Sequence, residues 1–247
     1  MRLLLLGYGR MGKLVEALAP EYGCEVAGVL DETSNQRGEG LLPGRWPGVD
    51  VAIDFSIAGA VEDNVRALAA AGINVVIGTT GWQDAGARVR EVVERSGIGA
   101  VAAPNFSTGV ILFGEIVKAA ARLVEPHEEY GAYVHEMHHA AKRDAPSGTA
   151  LSLKKAMESA GYVRAVDVTS TRAGSMPGTH TIGFDGPSET ITLTHTVRDR
   201  GTFARGALLA AGWVKGRRGW YTMHDVLGLT VDGPPLTSHP SREERTR

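Results

Sequence analysis

Short apolar runs alternate with amphipathic stretches along the N-terminal part of the chain. After the first run, Met11, Leu14, Val15 and Leu18 recur at helical spacing and give a predicted helix one apolar stripe. The runs have the length of strands and are apolar on both faces, which is typical of parallel strands covered by helices on both sides. We therefore predict a parallel sheet with strands over Arg2–Leu6, Glu25–Leu30, Val51–Phe55, Asn74–Ile77 and Ile98–Ala102.

The pattern changes after Pro104, where strands begin to follow one another through tight turns. Strands that are joined in this way predict an antiparallel or mixed sheet with one open face, a kind of face that often forms oligomer contacts. We expect a dinucleotide-type domain over 1–106 and 208–247, and an inserted α+β domain over 107–207. The predicted elements of the second part are helices over Val110–Leu123, from Ser147 and over Phe203–Val214, and strands over Glu129–Glu136, Val168–Thr171, His180–Phe184 and Glu189–Val197.

Two segments do not follow either pattern. Thr33–Gly48 is rich in Gly, Pro, Asn and Arg, and we interpret it as an irregular connection in place of a full helix. Gly233–Arg247 combines several prolines with mixed charges, and we expect a frayed tail there.

Composition and charge exclude several classes of protein. The formal net charge of the 247 residues is -2, which argues against general affinity for nucleic acid or membranes. No apolar run approaches the length of a membrane-spanning helix, and Leu3–Leu6 is short enough to be a strand rather than part of a signal peptide. The single cysteine, Cys24, permits no intrachain disulfide and lies in an apolar stretch, so we expect it to be buried. These features predict a soluble cytosolic protein.

A glycine-rich turn lies between the first predicted strand and the first predicted helix. It has the spacing G-x-G-x-x-G, and its members are Gly7, Tyr8, Gly9, Arg10, Met11 and Gly12. The first glycine permits a tight turn, the second lets a pyrophosphate approach the backbone, and the third lets helix and strand pack closely. The free N–H groups of the helix N-terminus would bind the phosphates. This context predicts a Rossmann-type domain that binds NADH or NADPH.

An acidic residue at the end of the second strand is expected to hold the adenosine ribose. Asp31 occupies that place, and Glu32 follows it. Because two neighbouring carboxylates repel a 2′-phosphate, the pair favours NADH. Arg10 and Arg37 are near enough in sequence to support NADPH, so we expect a preference rather than exclusion.

Two further loops follow predicted strands of the same sheet. In an open parallel sheet, ligands bind outside the carboxyl ends of the strands, so both loops are expected to line the cofactor crevice. Thr79, Thr80 and Asn105 are placed to hydrogen-bond the nicotinamide ribose or carboxamide, although turns alone would also explain these residue types. The predicted cofactor residues in these loops are Gly78, Thr79, Thr80, Ala103, Pro104, Asn105 and Phe106.

The segment Glu136–Ala150 carries the chemistry of the second domain. His138 and His139 are adjacent and therefore point in different directions, and neither the H-E-x-x-H spacing nor a nearby cysteine supports zinc, so we predict no metal. Histidine exchanges protons near neutral pH, and Lys142 adds a cation that can bind an anion or donate a proton. Ser147 is a predicted helix cap, which leaves the N–H groups of Gly148 and Thr149 for a carboxylate.

These residues resemble the 4-hydroxy-tetrahydrodipicolinate reductase (dihydrodipicolinate reductase) family of lysine biosynthesis through diaminopimelate. The resemblance covers nearly the whole chain. It rests on the glycine-rich turn, on Gly78–Gly81 and Ala103–Ser107, on Arg172–Gly174 with the segments that follow it, and above all on the run H-H-x-x-K-x-D-A-P-S-G-T-A that begins at His138.

The resemblance implies a role for each matching residue. His138 would be the proton donor and acceptor, and Lys142 the proton donor. His139, Gly148 and Thr149 would bind the small cyclic dicarboxylate substrate, and the cofactor would occupy the loops named above. The family adds hydride to ring C4 and a proton to the neighbouring carbon. Its members are typically homotetramers that associate through the sheet of the second domain, and their domains close, so hinges are expected near Pro104 and Ala207.

Other functions remain as alternatives. The segment between Glu32 and Val51 is shorter than in many relatives, and Glu32 replaces the basic residue that some of them have, so NADPH use is the least supported expectation. A related amino-dicarboxylate dehydrogenase, such as an aspartate dehydrogenase, would not be expected to carry the run at His138. A non-catalytic nucleotide sensor would be expected to have lost His138 and Lys142, and a metal hydrolase that uses His138 and His139 is a more distant alternative.

Overall fold

A computed structural model describes residues 1–35, 38–42 and 44–229. The predicted tail at Gly233–Arg247 and Arg37 lie outside the described residues. The chain divides into two compact units, of which the first combines Met1–Phe106 with the segment that begins at Phe203, and the second is Ser107–Thr202. The sequence-based domain boundary after Ala207 falls further along the helix Gly201–Val214 than this division does.

The helices and strands follow the predicted alternation closely. Ser107 illustrates how an end is set, because its side chain accepts a hydrogen bond from the Val110 N–H and so begins its helix at Thr108, two residues before the predicted start. In chain order the elements are β1 (Arg2–Leu6), α1 (Arg10–Leu18), β2 (Glu25–Leu30), β3 (Val51–Asp54), α2 (Val61–Ala70), β4 (Asn74–Ile77), α3 (Gly86–Ser96), β5 (Gly99–Ala102), α4 (Thr108–Val124), β6 (Gly131–His138), α5 (Gly148–Ser159), β7 (Val166–Arg172), β8 (Thr179–Asp185), β9 (Thr190–Thr196), α6 (Gly201–Val214), β10 (Gly219–Tyr221) and α7 (Met223–Val226).

The first unit is a parallel sheet of the predicted Rossmann type. In the described part of the chain its strand order is β10-β5-β4-β3-β1-β2, and every recorded pair is parallel. Leu6 is in register with both Leu30 and Asp54, so the carboxyl ends of β1, β2 and β3 meet at one edge. The leucines of β1 are buried, which confirms that this apolar start is a strand. The edge strand β10 was not predicted from the sequence.

The second unit is the predicted mixed sheet. Within residues 107–202, four strands lie in the order β7-β6-β8-β9, with β7 parallel to β6 and β8 antiparallel to both of its neighbours. Helices α4 and α5 pack on one face through an apolar cluster that includes Phe113, Met157 and Phe184. The other face carries exposed polar pairs such as Thr181 with Thr194, as expected for a sheet with one open face.

Three smaller expectations can also be compared with the structure. Cys24 is buried at 7% exposure, as predicted. The segment from Thr33 to Gly48, where described, contains one short 3-10 turn at Glu39–Leu41 and no regular helix or strand. Over the described residues, we find no helix with both the length and the apolar character that a membrane span requires.

Candidate functional site

The three glycines of the first loop have three different surroundings. Gly7 has a φ of +87°, and a Cβ there would lie 2.3 Å from the Phe55 carbonyl oxygen at the end of β3. A Cβ at Gly12 would lie 2.3 Å from the Gly7 carbonyl oxygen, so this glycine lets α1 approach the loop. Gly9 begins α1 as its cap, and a Cβ there would meet no described atom within 4 Å. The loop thus has two glycines that the fold needs and one that leaves open space at a helix N-terminus.

The remaining residues of this loop are partly exposed. The Tyr8 hydroxyl donates a hydrogen bond to Glu16 on α1, and this bond raises the pKa of Tyr8. Lys13 lies over the Tyr8 ring at 5.6 Å from its centroid. Arg10 is exposed and Met11 is half-buried. Tyr8 is therefore held against the first turns of the helix.

Asp31 is fixed by a local turn directly after β2. Its Oδ1 accepts hydrogen bonds from the backbone N–H and the hydroxyl group of both Thr33 and Ser34, at 2.7–3.0 Å. These bonds hold the pKa of the Asp31 carboxyl well below its usual range. The charged carboxylate therefore stands at the same sheet edge as the glycine-rich loop.

A cavity of about 620 Å³ lies at this edge, inside the first unit. Its floor is formed by the ends of β1, β2 and β3, and its walls by the loops that follow them. A volume of this size is within the range of ligand sites in proteins. The described residues that line it are Leu6, Gly7, Tyr8, Gly9, Leu30, Asp31, Glu32, Thr33, Asn35, Phe55, Ser56, Ile57, Ala60 and Asn64.

A buried carboxylate beneath this cavity was not predicted from the sequence. Asp54 ends β3 and is fully buried. Its Oδ1 accepts hydrogen bonds from the Ser56 N–H and hydroxyl and from the Thr79 hydroxyl, and its Oδ2 accepts one from the Asn64 amide at 3.0 Å. The sequence signal was an acidic residue at the end of an otherwise apolar strand. Through these bonds Asp54 holds two wall residues of the cavity, Ser56 and Asn64.

The loop after β4 has a structural role that the sequence did not indicate. A Cβ at Gly78 would lie 2.2 Å from the Phe55 ring, so the glycine allows these loops to touch. Thr79 is buried, its hydroxyl donates to Asp54 at 2.8 Å, and its carbonyl accepts from the Trp82 indole. Its hydroxyl is thus engaged inside the protein, whereas Thr80 is exposed.

The loop after β5 also packs on Phe55. Phe106 is buried, and its ring centroid lies 6.3 Å from that of Phe55, edge to face. Ala103 is buried, Asn105 is half-buried and Pro104 is exposed. Of the described residues, none in Gly78–Thr80 or Ala103–Phe106 lines the cavity described above. Their contact with the cofactor stays a prediction.

The second unit brings the catalytic candidates together at the end of β6. Because side chains alternate along a strand, Glu136 and His138 face the same side, and they are 0% and 8% exposed. The His138 Nδ1 is hydrogen-bonded to the Glu136 Oε2. A Cβ at Gly178 would lie 2.9 Å from the His138 Nε2, so this glycine leaves room for the ring.

The charge of Glu136 is balanced by several donors. Its Oε1 accepts hydrogen bonds from Arg172 Nη2 at 2.5 Å and from the Ser147 N–H at 3.2 Å. Burial raises the pKa of Glu136, but the hydrogen bonds from Arg172, Ser170 and His138 outweigh it and lower the pKa to about 2. Burial also lowers the pKa of His138, and the Glu136 carboxylate opposes that effect.

Lys142 lies on the loop that follows β6. Its Nζ is 2.8 Å and 3.0 Å from the two carboxylate oxygens of Asp144, and this pair lowers the pKa of Asp144. Lys142 retains 24% side-chain exposure and Asp144 retains 57%. His139 is half-buried, and its main chain fixes the loop through a 2.8 Å bond from its N–H to the Met176 carbonyl.

The N-terminus of α5 is capped as predicted. Ser147 is buried, and its hydroxyl accepts a hydrogen bond from the Ala150 N–H at 3.2 Å. Gly148 is exposed and Thr149 is half-buried at the first turn of this helix. The sequence-based candidates of the second unit therefore share one region, with His138 and the start of α5 joined through Glu136.

His180 is a further residue of this region that sequence reasoning missed. It is 3% exposed, its Nε2 lies 3.2 Å from the Ser147 hydroxyl, and its ring centroid is 5.1 Å from that of His138. Burial and the neighbouring His138 lower the pKa of His180 to about 4. The signal was the alternation of β8, which places His180 on the same side as the buried Ile182.

Glu136, His138 and His180 each offer a ligand atom, and these atoms lie within 4.8 Å of one another. A cation there would have to compete with Arg172, which already gives Glu136 a positive partner at 2.5 Å. The expectation that the site holds no metal stays a prediction.

Models of known protein families match both parts of the chain. The model described as "Dihydrodipicolinate reductase, N-terminus" matches residues 1–106, and the one described as "Dihydrodipicolinate reductase, C-terminus" matches residues 109–227. The two matches together span almost all of the described chain.

Curated proteins give the same result, and a solved structure shows a similar fold. The chain is 34% identical to the 4-hydroxy-tetrahydrodipicolinate reductase of Christiangramia forsetii, over 92% of this chain and 98% of that one. It is 36% identical to the enzyme of the same name from Thiobacillus denitrificans, over 90% and 96%. Its fold is similar to that of a dipicolinate-bound dihydrodipicolinate reductase from Paenisporosarcina sp., with a TM-score of 0.74, 21% identity and coverage of 90% and 97%.

Proposed function

The chain belongs to the dihydrodipicolinate reductase family, and we propose that it reduces 4-hydroxy-tetrahydrodipicolinate to tetrahydrodipicolinate in the diaminopimelate route to lysine. The observation that carries this proposal is that His138 and the N-terminus of α5 are both hydrogen-bonded to the buried Glu136, with Lys142 on the loop between them. These groups suit the protonation and binding of a small dicarboxylate.

A pyridine nucleotide fits the first unit. The open space at Gly9, the free N–H groups at the start of α1 and the carboxylate of Asp31 are the features that a pyrophosphate and a ribose require. A bound nicotinamide would supply the hydride that is added to ring C4. The C4 hydroxyl of the substrate leaves as water in the overall reaction, and the neighbouring carbon takes the proton. The remaining cofactor contacts are proposed for Tyr8, Arg10, Met11, Gly78, Thr79, Thr80, Ala103, Pro104, Asn105 and Phe106.

NADH is the preferred cofactor in this proposal. Asp31 is charged because Thr33 and Ser34 hold its pKa low, and Glu32 lies beside it on the lining of the same cavity. A 2′-phosphate would approach two carboxylates, which is unfavourable at short range, whereas a ribose hydroxyl can donate a hydrogen bond to Asp31.

His138 and Lys142 handle the proton that accompanies the hydride. The Glu136 carboxylate accepts the hydrogen bond from the His138 Nδ1, so proton exchange with the substrate takes place at Nε2. Lys142 is proposed as the second proton donor, and its ammonium group forms an ion pair with Asp144 on the loop after β6. Both groups can place a proton at the carbon next to C4.

The carboxylates of the substrate are proposed to bind beside these residues. Gly148 and Thr149 present the N–H groups of the first turn of α5, where the helix dipole also favours negative charge. His139 lies at the start of the neighbouring loop and is proposed as a third ligand for the dicarboxylate. Ser147 is used internally as the helix cap.

We further propose a homotetramer in the cytosol. The open polar face of the β7-β6-β8-β9 sheet supports self-association, and the single cysteine supports a reducing compartment. Sedimentation equilibrium of the purified protein would test the oligomer: a mass of four chains is expected, and a monomer at micromolar concentration would contradict it.

The reaction is tested by following cofactor absorbance with NADH and NADPH in parallel, using the product of dihydrodipicolinate synthase formed in the same cuvette. Oxidation that requires this substrate is expected, with the faster rate for NADH. Lys142→Ala should lower turnover far more than it weakens NADH binding, while Lys155→Ala serves as a matched control on the surface of the same unit. A protein that binds NADH but oxidises none would contradict the proposal and favour the sensor or amino-acid dehydrogenase alternatives.

A further inference from the structure

Glu136 occupies a position that the proposed reaction does not explain by itself. It is fully buried and touches no group to which we assign contact with substrate, apart from His138. Burying a charge costs several kcal/mol unless partners compensate for it, so a carboxylate here needs a reason. A hydrophobic residue of similar volume would fill the same space without that cost.

We propose that Glu136 is a positioning residue that fixes the tautomer and the orientation of His138 and holds this ring at a set distance from the anion-binding start of α5. This inference rests on the proposed function for its catalytic meaning. Its geometric part stands on the hydrogen bonds of Glu136 alone.

The first argument concerns the Oε2 atom. An ionised carboxylate can only accept a hydrogen bond, so the His138 Nδ1 that meets it must carry the proton. The Nε2 atom is then the one that exchanges a proton with substrate. With a fixed tautomer, the His138 ring does not have to rotate or exchange protons with solvent before each catalytic cycle.

The second argument concerns the Oε1 atom. It accepts from the Ser147 N–H at 3.2 Å, which is the residue that caps α5, and from Arg172 Nη2 at 2.5 Å. The same Arg172 nitrogen donates to the Asp144 carbonyl at 2.6 Å. One carboxylate therefore ties the proton-exchanging ring to both ends of the loop that carries Lys142. A displacement of that loop would have to break bonds to a buried charge.

The charged groups around His138 determine how its pKa changes when the charge of Glu136 is removed. His138 is faced by Glu136 on its own strand, by Arg172 on β7, by His180 on β8 and by Lys142 on the loop. Glu136 raises the pKa of His138, while burial, Lys142 and Arg172 lower it. Loss of the carboxylate charge must then lower the pKa of His138 further.

Glu136→Gln tests the proposal without changing the volume of the side chain. The amide oxygen is expected to face Arg172 and the Ser147 N–H, because both are donors, and this leaves the NH2 group opposite the His138 Nδ1. The ring would then carry its proton on Nε2, the inverted tautomer. We expect kcat to fall about 100-fold, in the range of general acid–base effects, with KM for the substrate within about threefold.

The pH profile adds a readout that a purely structural role would not move. If protonated His138 is the active form, kcat falls as pH rises through its pKa, and in Glu136→Gln this fall is expected at lower pH. Glu189→Gln is the matched control, since Glu189 is an exposed carboxylate of the same unit that accepts a hydrogen bond from Tyr130 at 2.6 Å. Its kcat and pH profile should equal those of the wild type. A Glu136→Gln variant with wild-type kcat, or with a changed KM alone, would overturn the proposal.

Imidazole 15N chemical shifts of the wild-type protein test the tautomer without substrate or turnover. The proposal requires a proton on Nδ1 of His138 above its pKa, and a proton on Nε2 alone would overturn it even if Glu136→Gln did not fold. Failure of the wild type to oxidise cofactor would contradict the proposed function and leave this spectroscopic result to decide the role of Glu136.

Discussion

Among the residues that the structure describes, each unit contains one fully buried carboxylate near its site, and the two carboxylates differ in their partners. Asp54 lies beneath the cavity of the first unit and is held by uncharged donors, namely Ser56, Asn64 and Thr79. Glu136 lies beneath His138 in the second unit and is held by Arg172 and the ring of His138, together with two neutral donors, the Ser147 N–H and the Ser170 side chain.

The difference matches what each site must do. Neutral donors satisfy a carboxylate without adding a group that titrates near neutral pH, so the Asp54 cluster can serve as a fixed frame for cofactor loops. Charged and titratable partners couple the carboxylate to the protonation of a neighbouring ring, which is what a proton-transferring site needs. We therefore expect the second site to respond more strongly to charge removal and to pH than the first.

The largest expected effect comes from removing one partner of each carboxylate. Arg172→Met leaves Glu136 buried beside an uncharged side chain and should lower the free energy of unfolding by about 3–5 kcal/mol. Asn64→Leu removes one neutral donor of Asp54 and should cost about 1–3 kcal/mol. Urea unfolding at pH 7.5 measures both. Equal losses would show that the charge of the partners does not distinguish the two clusters.

The second effect is the dependence of stability on pH. His180 has a pKa near 4 in the folded protein and an ordinary value of 6.5, so it is neutral when folded and takes up a proton first in the unfolded chain. Its contribution is complete above pH 6.5 and decreases as the pH falls toward 4, by about 2 kcal/mol at pH 5. Glu136, with a pKa near 2, contributes in a separate window below pH 4.5. In His180→Gln, the difference between the urea midpoints at pH 7.5 and pH 5 should be smaller than in the wild type. An unchanged difference would contradict the lowered pKa of His180.

A smaller effect tests charge in the first unit. Asp31→Ala should weaken NADH binding about tenfold, because a ribose hydroxyl loses a hydrogen bond to a charged acceptor. It should strengthen NADPH binding, because the 2′-phosphate then meets one carboxylate fewer. Fluorescence titration with both cofactors measures this, with Asp63→Ala as a control at an exposed position of the same unit. Unchanged NADH affinity would mean that the ribose is held elsewhere.

The smallest effect is expected at Asp144. Its carboxylate competes with the substrate for the Lys142 ammonium, but exposed ion pairs contribute only about 0–1 kcal/mol. Asp144→Asn should therefore lower KM for the substrate by no more than about threefold. Steady-state kinetics at saturating NADH would show it, and a raised KM would indicate that Asp144 orients Lys142 instead of competing for it.

The elements of the fold could be predicted because their signals are local. The strand at Arg2–Leu6 and the helix capped by Ser147 depend on neighbours in sequence, and both lie where the pattern places them. β10 was missed because three residues, Gly219–Tyr221, are too few to show a period, and only pairing with β5 makes them a strand.

The same distinction between local and distant signals applies to the site residues. The glycine-rich loop could be predicted because its signal lies in consecutive residues, and Asp31 because it ends the second predicted strand. Asp54, Arg172 and His180 were missed because each depends on a partner far away in sequence: Asn64 is 10 positions from Asp54, and Glu136 is 36 positions from Arg172. A sequence pattern shows that such a residue is polar, but only the register of the sheets shows what it meets.

The glycine-rich loop also bears on how this chain can vary. A methyl group at position 12 would collide with the Gly7 carbonyl, and one at position 7 would collide with the residues after β3. Substitution of either glycine therefore disturbs the fold whether or not a ligand is present. A methyl group at position 9 would meet no described atom within 4 Å, so only a bound phosphate would collide with it. A chain selected for folding alone would thus be free to lose Gly9, while one selected for its chemistry would not. We therefore expect Gly9→Ala to fold like the wild type and to lose affinity for the cofactor phosphates, which makes it a reference protein that differs by a single carbon atom.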